Sequence, residues 1–295
     1  MSALASSETR KIVILGIWLT NLSYFLFSGQ DAIIKLLVET FSVWQVMFFR
    51  SVVVLGGCMA FGGHSIIGES LRSPTLKPMV FRGLVMFAAW LCFYNAARWL
   101  PLAELTTIYF AAPVIVTILS ILMLGERVPA MRWIAVLTGF VGVFIACDPT
   151  GVGFSWPVAM VLAAATFWAL SVILVRMTAL REKTVVQVVL TNLFFLAGSA
   201  IPMIAVWETP SPSAWLMLLA VGVTGGFGQY AMFEGMKRAD ASVIAGFEYA
   251  ALIWAFLFGY LIWADVPRPA VFVGAALIIV AGAIMVNAER RRLRA

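Results

Sequence analysis

Apolar residues in this chain come in ten runs, at positions 12–37, 43–61, 79–100, 105–124, 131–147, 156–175, 185–206, 215–236, 243–263 and 269–286, separated by short polar stretches. None alternates with a period of two, and none keeps a polar stripe for water, so each reads as a helix that is apolar all round. At about 1.5 Å of rise per residue such runs match a hydrocarbon slab about 30 Å thick. Unpaired backbone groups are costly in lipid, which leaves helices rather than barrel strands as the spanning form. The expected fold class is an all-α integral membrane bundle of ten transmembrane helices.

Ten crossings divide into two fives, and an odd number per half makes the halves point oppositely across the bilayer. Residues 1–148 and 149–295 are the expected repeats, packed about a central cavity, which is the layout of a transporter. Laying Tyr94–Arg98 over Phe233–Lys237 gives a shift that also brings Phe110 onto Tyr249 and Glu126 onto Asp265. At a slightly different shift Phe27 and Lys35 meet Trp168 and Arg176. Identities are few, but the matched polar residues fall at the same helix ends.

Composition agrees with a membrane protein: 63% of residues are hydrophobic and 12% charged, against roughly 25% charged in soluble domains. All but four of the 20 Lys and Arg residues fall at the end of the bundle that carries both termini. Lys35, Arg98 and Arg268 lie at the other end and Arg50 within the second run. That asymmetry places both termini in the cytoplasm, so the +6 net charge reports topology and not nucleic-acid binding. The first run lacks a signal-peptide cleavage pattern and is expected to stay in the mature protein. The longest connection, 62–78, is modest, and no loop looks like a further domain.

Cys58, Cys92 and Cys147 sit inside runs as packing residues, and His64, the one histidine, lies in a connection. No metal site, catalytic triad or phosphate-cradling loop can be assembled, so neither an enzyme nor a cofactor is expected. A channel would need a ring of repeated polar residues, which the chain lacks.

Three segments carry a family resemblance: Ala97-Arg-Trp-Leu-Pro101-Leu-Ala-Glu-Leu-Thr-Thr-Ile-Tyr-Phe-Ala-Ala-Pro113, then Leu124-Gly-Glu126-Arg-Val, then Gly139-Phe-Val-Gly142-Val. Together they resemble the EamA-type half of the drug/metabolite transporter superfamily, over essentially the whole chain. The resemblance implies ten helices in two inverted repeats and a bacterial-type inner membrane. It also implies cargo drawn from amino acids, other metabolites or toxic cations, with bacterial amino-acid exporters among the ten-helix members. The second half departs from the pattern: Leu252 stands where the proline would be and Asp265 replaces the glutamate.

A cargo crossing the midplane needs polar groups to replace its hydration, and ionisable residues deep in a span are costly unless paired or wet. Asp31, Arg50, Asn95, Glu234 and Glu248 are such positions. Asp31 and Lys35 are four apart and can pair, as a structural or gating bridge or as substrate contacts. Arg50 is expected against a carboxylate or carbonyls, and Glu248 as an ammonium partner or proton carrier. Trp90, Tyr94, Tyr109, Phe110, Trp168, Tyr230 and Tyr249 form an aromatic set, with Trp90 and Tyr94 on one face. For most of these aromatics taken singly, packing or interface anchoring explains the residue as well. By motif position the family resemblance carries over Trp168, Phe110 and Tyr249. Gln229 adds an amide to bind a carboxylate or to bridge helices. Pro113 removes a backbone hydrogen bond inside the fourth run and is a candidate hinge. Gly222, Gly225, Gly226 and Gly228 allow the eighth run to pack closely or bend.

The expected function is alternating-access transport of a small metabolite, with export of neutral and aromatic amino acids leading. Uptake or exchange of a cationic metabolite such as S-adenosylmethionine, or efflux of organic cations, is the alternative, and Asp31, Glu234 and Glu248 would then bind. The partners expected are the small-molecule cargo and membrane lipid, and nothing demands an oligomer.

Overall fold

Helix boundaries follow local chemistry closely. The computed structural model describes residues 2–74, 76–125, 130–147, 155–178, 183–238 and 250–292. Among them every regular element is helical. The helices are α1 (Ser2–Val38), α2 (Val43–Gly62), α3 (Ser65–Leu71), α4 (Leu76–Ala96), α5 (Leu102–Tyr109), α6 (Ala111–Leu124), α7 (Ala130–Cys147), α8 (Trp156–Thr178), α9 (Thr184–Ala205), α10 (Pro212–Arg238), α11 (Ala250–Trp263) and α12 (Pro269–Arg292).

Ser42 caps α2 by accepting a hydrogen bond from the Gln45 amide, and Gly63 ends that helix with φ 78°. Gly125 ends α6 in the left-handed region at φ 65°, which accounts for the glycine in Leu124-Gly125-Glu126. Ala264 does the same after α11 at φ 54°, the one described non-glycine residue with positive φ. The fourth expected run is broken: α5 stops at Tyr109 and α6 starts at Ala111, with Phe110 at φ −66° and ψ 4° between them. That break lies three residues before Pro113, where the ring removes an amide and crowds the Tyr109 carbonyl. Pro202 sits inside α9 without interrupting it. The connection 62–78, expected as a plain loop, contains α3.

Six stretches, 43–62, 76–96, 102–124, 156–174, 184–205 and 212–235, are long and apolar enough to cross a membrane, and 133–146, 250–263 and 269–284 are shorter apolar helices. Only 33–44% of each long stretch is buried inside the bundle. The outward surface includes Trp18, Leu122, Phe140, Ile201 and Leu216, which are stable facing lipid and not water. The chain is therefore an all-α, multi-pass membrane bundle.

The main packing pairs are α7 with α12, α1 with α10, α4 with α8 and α2 with α9. Glycines set the closest approaches. A Cβ on Gly142 would lie 2.8 Å from the Gly274 carbonyl oxygen, and one on Gly274 would lie 2.5 Å from that of Gly142, so α7 and α12 meet backbone to backbone. On α10, Gly222 packs against Val53, Gly226 against Val54 and Gly228 against Phe27. Those α10 glycines serve close packing in a helix that is continuous from Pro212 to Arg238.

Candidate functional site

A chain of buried polar side chains runs through the middle of the bundle. Arg50, fully buried on α2, donates from Nε to Gln30 Oε1 on α1 (3.2 Å) and from Nη1 to Asn192 Oδ1 on α9 (2.9 Å). Asn192 Nδ2 donates to Gln229 Oε1 on α10 at 3.0 Å, and Gln30 Nε2 donates to the Tyr94 hydroxyl on α4 at 3.1 Å. The Arg50 guanidinium lies 4.2 Å from the centroid of Trp90 and 6.0 Å from that of Phe195. Both rings offer their π faces to a desolvated cation. Arg50 Nη2 is buried without a hydrogen-bond partner. Asp31, half-buried beside Gln30, is coupled by charge to Arg50 and Tyr94. Gly225 closes the wall, since a Cβ there would lie 2.1 Å from Gln30 Oε1 and 2.9 Å from Arg50 Nε.

The sequence-predicted residues divide around this network. Arg50, Tyr94, Trp90 and Gln229 belong to it, and Trp90 and Tyr94 meet edge to face at 5.1 Å. Trp168 packs both on the apolar cluster that holds Tyr94 and Phe195 and on the one that holds Phe110 and Leu252. Tyr109 is seated against Phe93 at 5.1 Å, and Phe110 is buried in the second of those clusters. Asn95 turns back to donate to the Leu91 carbonyl of its own helix at 2.7 Å. Tyr230, 47% exposed, stands outside the network. Glu248 and Tyr249 lie outside the described residues.

Two expectations need correction. Asp31 and Lys35 form no ion pair: Lys35 Nζ donates to the Leu100 carbonyl at 2.6 Å and sits 5.1 Å from the Trp263 ring centroid, while Asp31 is coupled to Arg50. Lying one turn further along the helix lets the lysine satisfy itself at the connection, with less desolvation than a mid-span pair. Glu234 is not deep in the bundle. It pairs with Arg238 and Lys237 one turn on and accepts from the Thr184 hydroxyl at 2.8 Å, near the end of α10.

Three members were missed: Gln30, Asn192 and Phe195. Gln30 and Asn192 are amides inside apolar runs and were visible as such. An uncharged amide at that depth must be satisfied like a charged group, and that is the signal by which they could be found.

The end bearing Lys35, Arg98 and Arg268 is tied by polar contacts between connections. Besides Lys35 to Leu100, Arg98 donates to the Phe41 carbonyl at 2.8 Å, and Arg268 pairs with the buried Glu104 carboxylate. The Gln45 side chain donates to the Glu208 carbonyl at 2.6 Å and accepts from the Glu208 amide at 3.1 Å, joining the start of α2 to the segment after α9. Beside these ties lies a cleft of about 290 Å³ lined in part by Thr40, Phe41, Thr209, Ser211 and Ser213. Among the described residues no group of His, Cys, Asp and Glu is arranged to hold a metal.

The sequence matches the EamA-like transporter family twice, over residues 14–147 and 155–288. It is 30% identical to a riboflavin transporter of Vibrio cholerae over 206 residues, 70% of this chain and 68% of that protein. A pseudopaline exporter of Pseudomonas aeruginosa is 26% identical, with 90% of this chain and 94% of the exporter covered. An S-adenosylmethionine uptake transporter of Rickettsia prowazekii is 24% identical, with 97% of each covered. One solved crystal structure shares the fold at a TM-score of 0.63 and 22% identity, covering 97% of this chain and 98% of the other.

Proposed function

The chain belongs to the EamA-like transporter family, and from that premise we propose that it exchanges a cationic or zwitterionic metabolite by alternating access, between two inverted five-helix halves. As a family member it is a secondary transporter of small metabolites, and not an enzyme. The observation that carries the reading is the composition of the buried network. Gln30, Arg50, Trp90 and Tyr94 come from the first matched segment, and Asn192, Phe195 and Gln229 from the second. A polar cluster at the seam of two repeats is where a carrier binds its cargo.

Two features support the inverted halves. With each helix of the first five matched to one in the second, α1 on α10 mirrors α8 on α4, while α2 on α9 and α7 on α12 map onto themselves. The left-handed helix ends at Gly125 and Ala264 also stand at the shift that aligns Tyr94–Arg98 with Phe233–Lys237. The ties at the Lys35 end support a state closed there, with opening required on the return half of the cycle.

For cargo, the relatives named above span riboflavin, pseudopaline and S-adenosylmethionine, and both uptake and export. None of these three relatives is named for a free amino acid, which favours a larger metabolite such as S-adenosylmethionine over the expected neutral and aromatic amino acids. The aromatic walls at Trp90 and Trp168 suit a flat group, and the Asp31–Arg50 neighbourhood suits charges of both signs. Counterflow in proteoliposomes preloaded with unlabelled S-adenosylmethionine tests this. Accelerated entry of labelled S-adenosylmethionine supports it. Exchange of threonine, methionine or phenylalanine alone returns the amino-acid reading, and silence for every compound, riboflavin included, removes the carrier proposal.

A further inference from the structure

Resting on that reading of the seam as the cargo site, we infer that Arg50 is the anchor for a carboxylate on the cargo and that Asp31 receives the ammonium of the same zwitterionic head. The guanidinium of Arg50 is held in place but not saturated. Its Nε and Nη1 are held by Gln30 and Asn192, and it lies against Trp90 with Phe195 beside it, yet Nη2 has no acceptor although the residue is fully buried. A buried, charged donor left without a partner is a standing cost. The rest of the fold adds to that cost, because Gly225 is required beside Gln30 and Arg50 for α10 to pack there at all.

A merely structural arginine would be expected to close its last donor on a helix carbonyl. This one is oriented by groups on α1, α4 and α9 and leaves Nη2 without an acceptor, which is the chemistry of an oxyanion receptor. Charge narrows the class further. Asp31 adjoins Gln30 on α1 and feels the charge of Arg50, so the cluster sets one carboxyl beside one guanidinium and, with both ionised, is balanced before cargo arrives. A bare anion would leave the buried cluster net negative, whereas an α-ammonium with an α-carboxylate leaves it balanced, each charge meeting its opposite. Trp90, edge to face with Tyr94 beside the guanidinium, supplies an apolar wall for the remainder of the molecule.

The test uses the full chain in proteoliposomes and matched competitors. Labelled S-adenosylmethionine exchange is measured against its decarboxylated analogue, and labelled methionine and phenylalanine against methionine amide and phenethylamine. A simple thioether acid without the ammonium, 4-(methylthio)butyrate, completes the set. The expected result is that loss of either charge weakens competition about ten- to hundred-fold. Arg50→Gln should erase the preference for the acid over its decarboxylated partner, and Arg50→Lys should restore part of it. Because the preference is read first in the unaltered protein, poor folding of the variants does not shield the inference. Equal competition by acid and decarboxylated forms, with exchange intact, overturns the anchor and leaves the transport reading standing. Exchange of riboflavin alone, which has no carboxylate, overturns the anchor as well. Silence for the entire panel overturns the transport reading and the anchor with it.

Discussion

An arginine at the centre of a span costs about 2.5 to 3.5 kcal/mol on insertion scales, and Arg50 offsets this with two amide acceptors and the faces of two aromatic rings. Asn192 is the joint of that arrangement, holding Arg50 on one side and Gln229 on the other. Asn192→Leu removes the acceptor of a charged donor. It should lower the stability of the detergent-purified protein by about 1.5 to 3 kcal/mol, read as a lower melting temperature; an unchanged melting curve would show that the link is dispensable. Trp168 bridges the clusters on both sides of the network. Trp168→Ala should reduce transport per molecule while membrane expression is maintained, and flux at the wild-type level would take the residue out of the proposed site. Single residues were only partly legible in the sequence. Arg50, Trp90, Tyr94 and Gln229 were found because polar or aromatic groups inside apolar runs need partners. Gln30 and Asn192 are amides of the same kind as Gln229, but which amides meet at one depth depends on how the helices pair and is not written in their spacing. The side of a helix end on which Glu234 and Lys35 would be satisfied depends on neighbours that periodicity does not reveal.

Helix ends were legible wherever a residue's backbone preference decides them. Gly125 reads directly as a left-handed end, whereas Ala264 gives no such signal and still adopts φ 54° where α11 stops. For a residue with a Cβ that conformation costs about 1 to 2 kcal/mol. Ala264→Gly should therefore stabilise the protein by up to about 1 kcal/mol and Gly125→Ala should destabilise it, a sign difference that paired thermal-unfolding measurements would detect. The contact between α7 and α12 belongs to this scale too. Gly142→Leu places a side chain where the Gly274 carbonyl already sits, so the variant should be lost from the membrane or recovered only as aggregate. A monodisperse, active Gly142→Leu protein would mean that the two helices can part without harm. The break at Phe110 was anticipated from Pro113 as a kink, but its place, one turn earlier, follows from the Phe110 amide sharing the Thr106 and Thr107 carbonyls.

For the whole molecule, the all-helical membrane bundle was legible because ten apolar runs of near-membrane length leave few other folds. How the helices pair was not, since apolar surfaces of similar composition carry no address and the pairing is set by small residues meeting at particular depths. The main pairings map onto themselves when the helices of the two matched segments are exchanged, which supports the carrier proposed above. Its most direct test is a distance measurement between spin labels in the reconstituted protein. One pair stands at exposed Thr40 and Ser211, flanking the cleft at the Lys35 end; the other stands at exposed Lys77 and Lys183, at the opposite ends of their helices. The account predicts two populations at each pair that shift in opposite directions when cargo is added, one end widening as the other narrows. Distances at both pairs that stay fixed, or that widen together into a pore open at both ends, would contradict it.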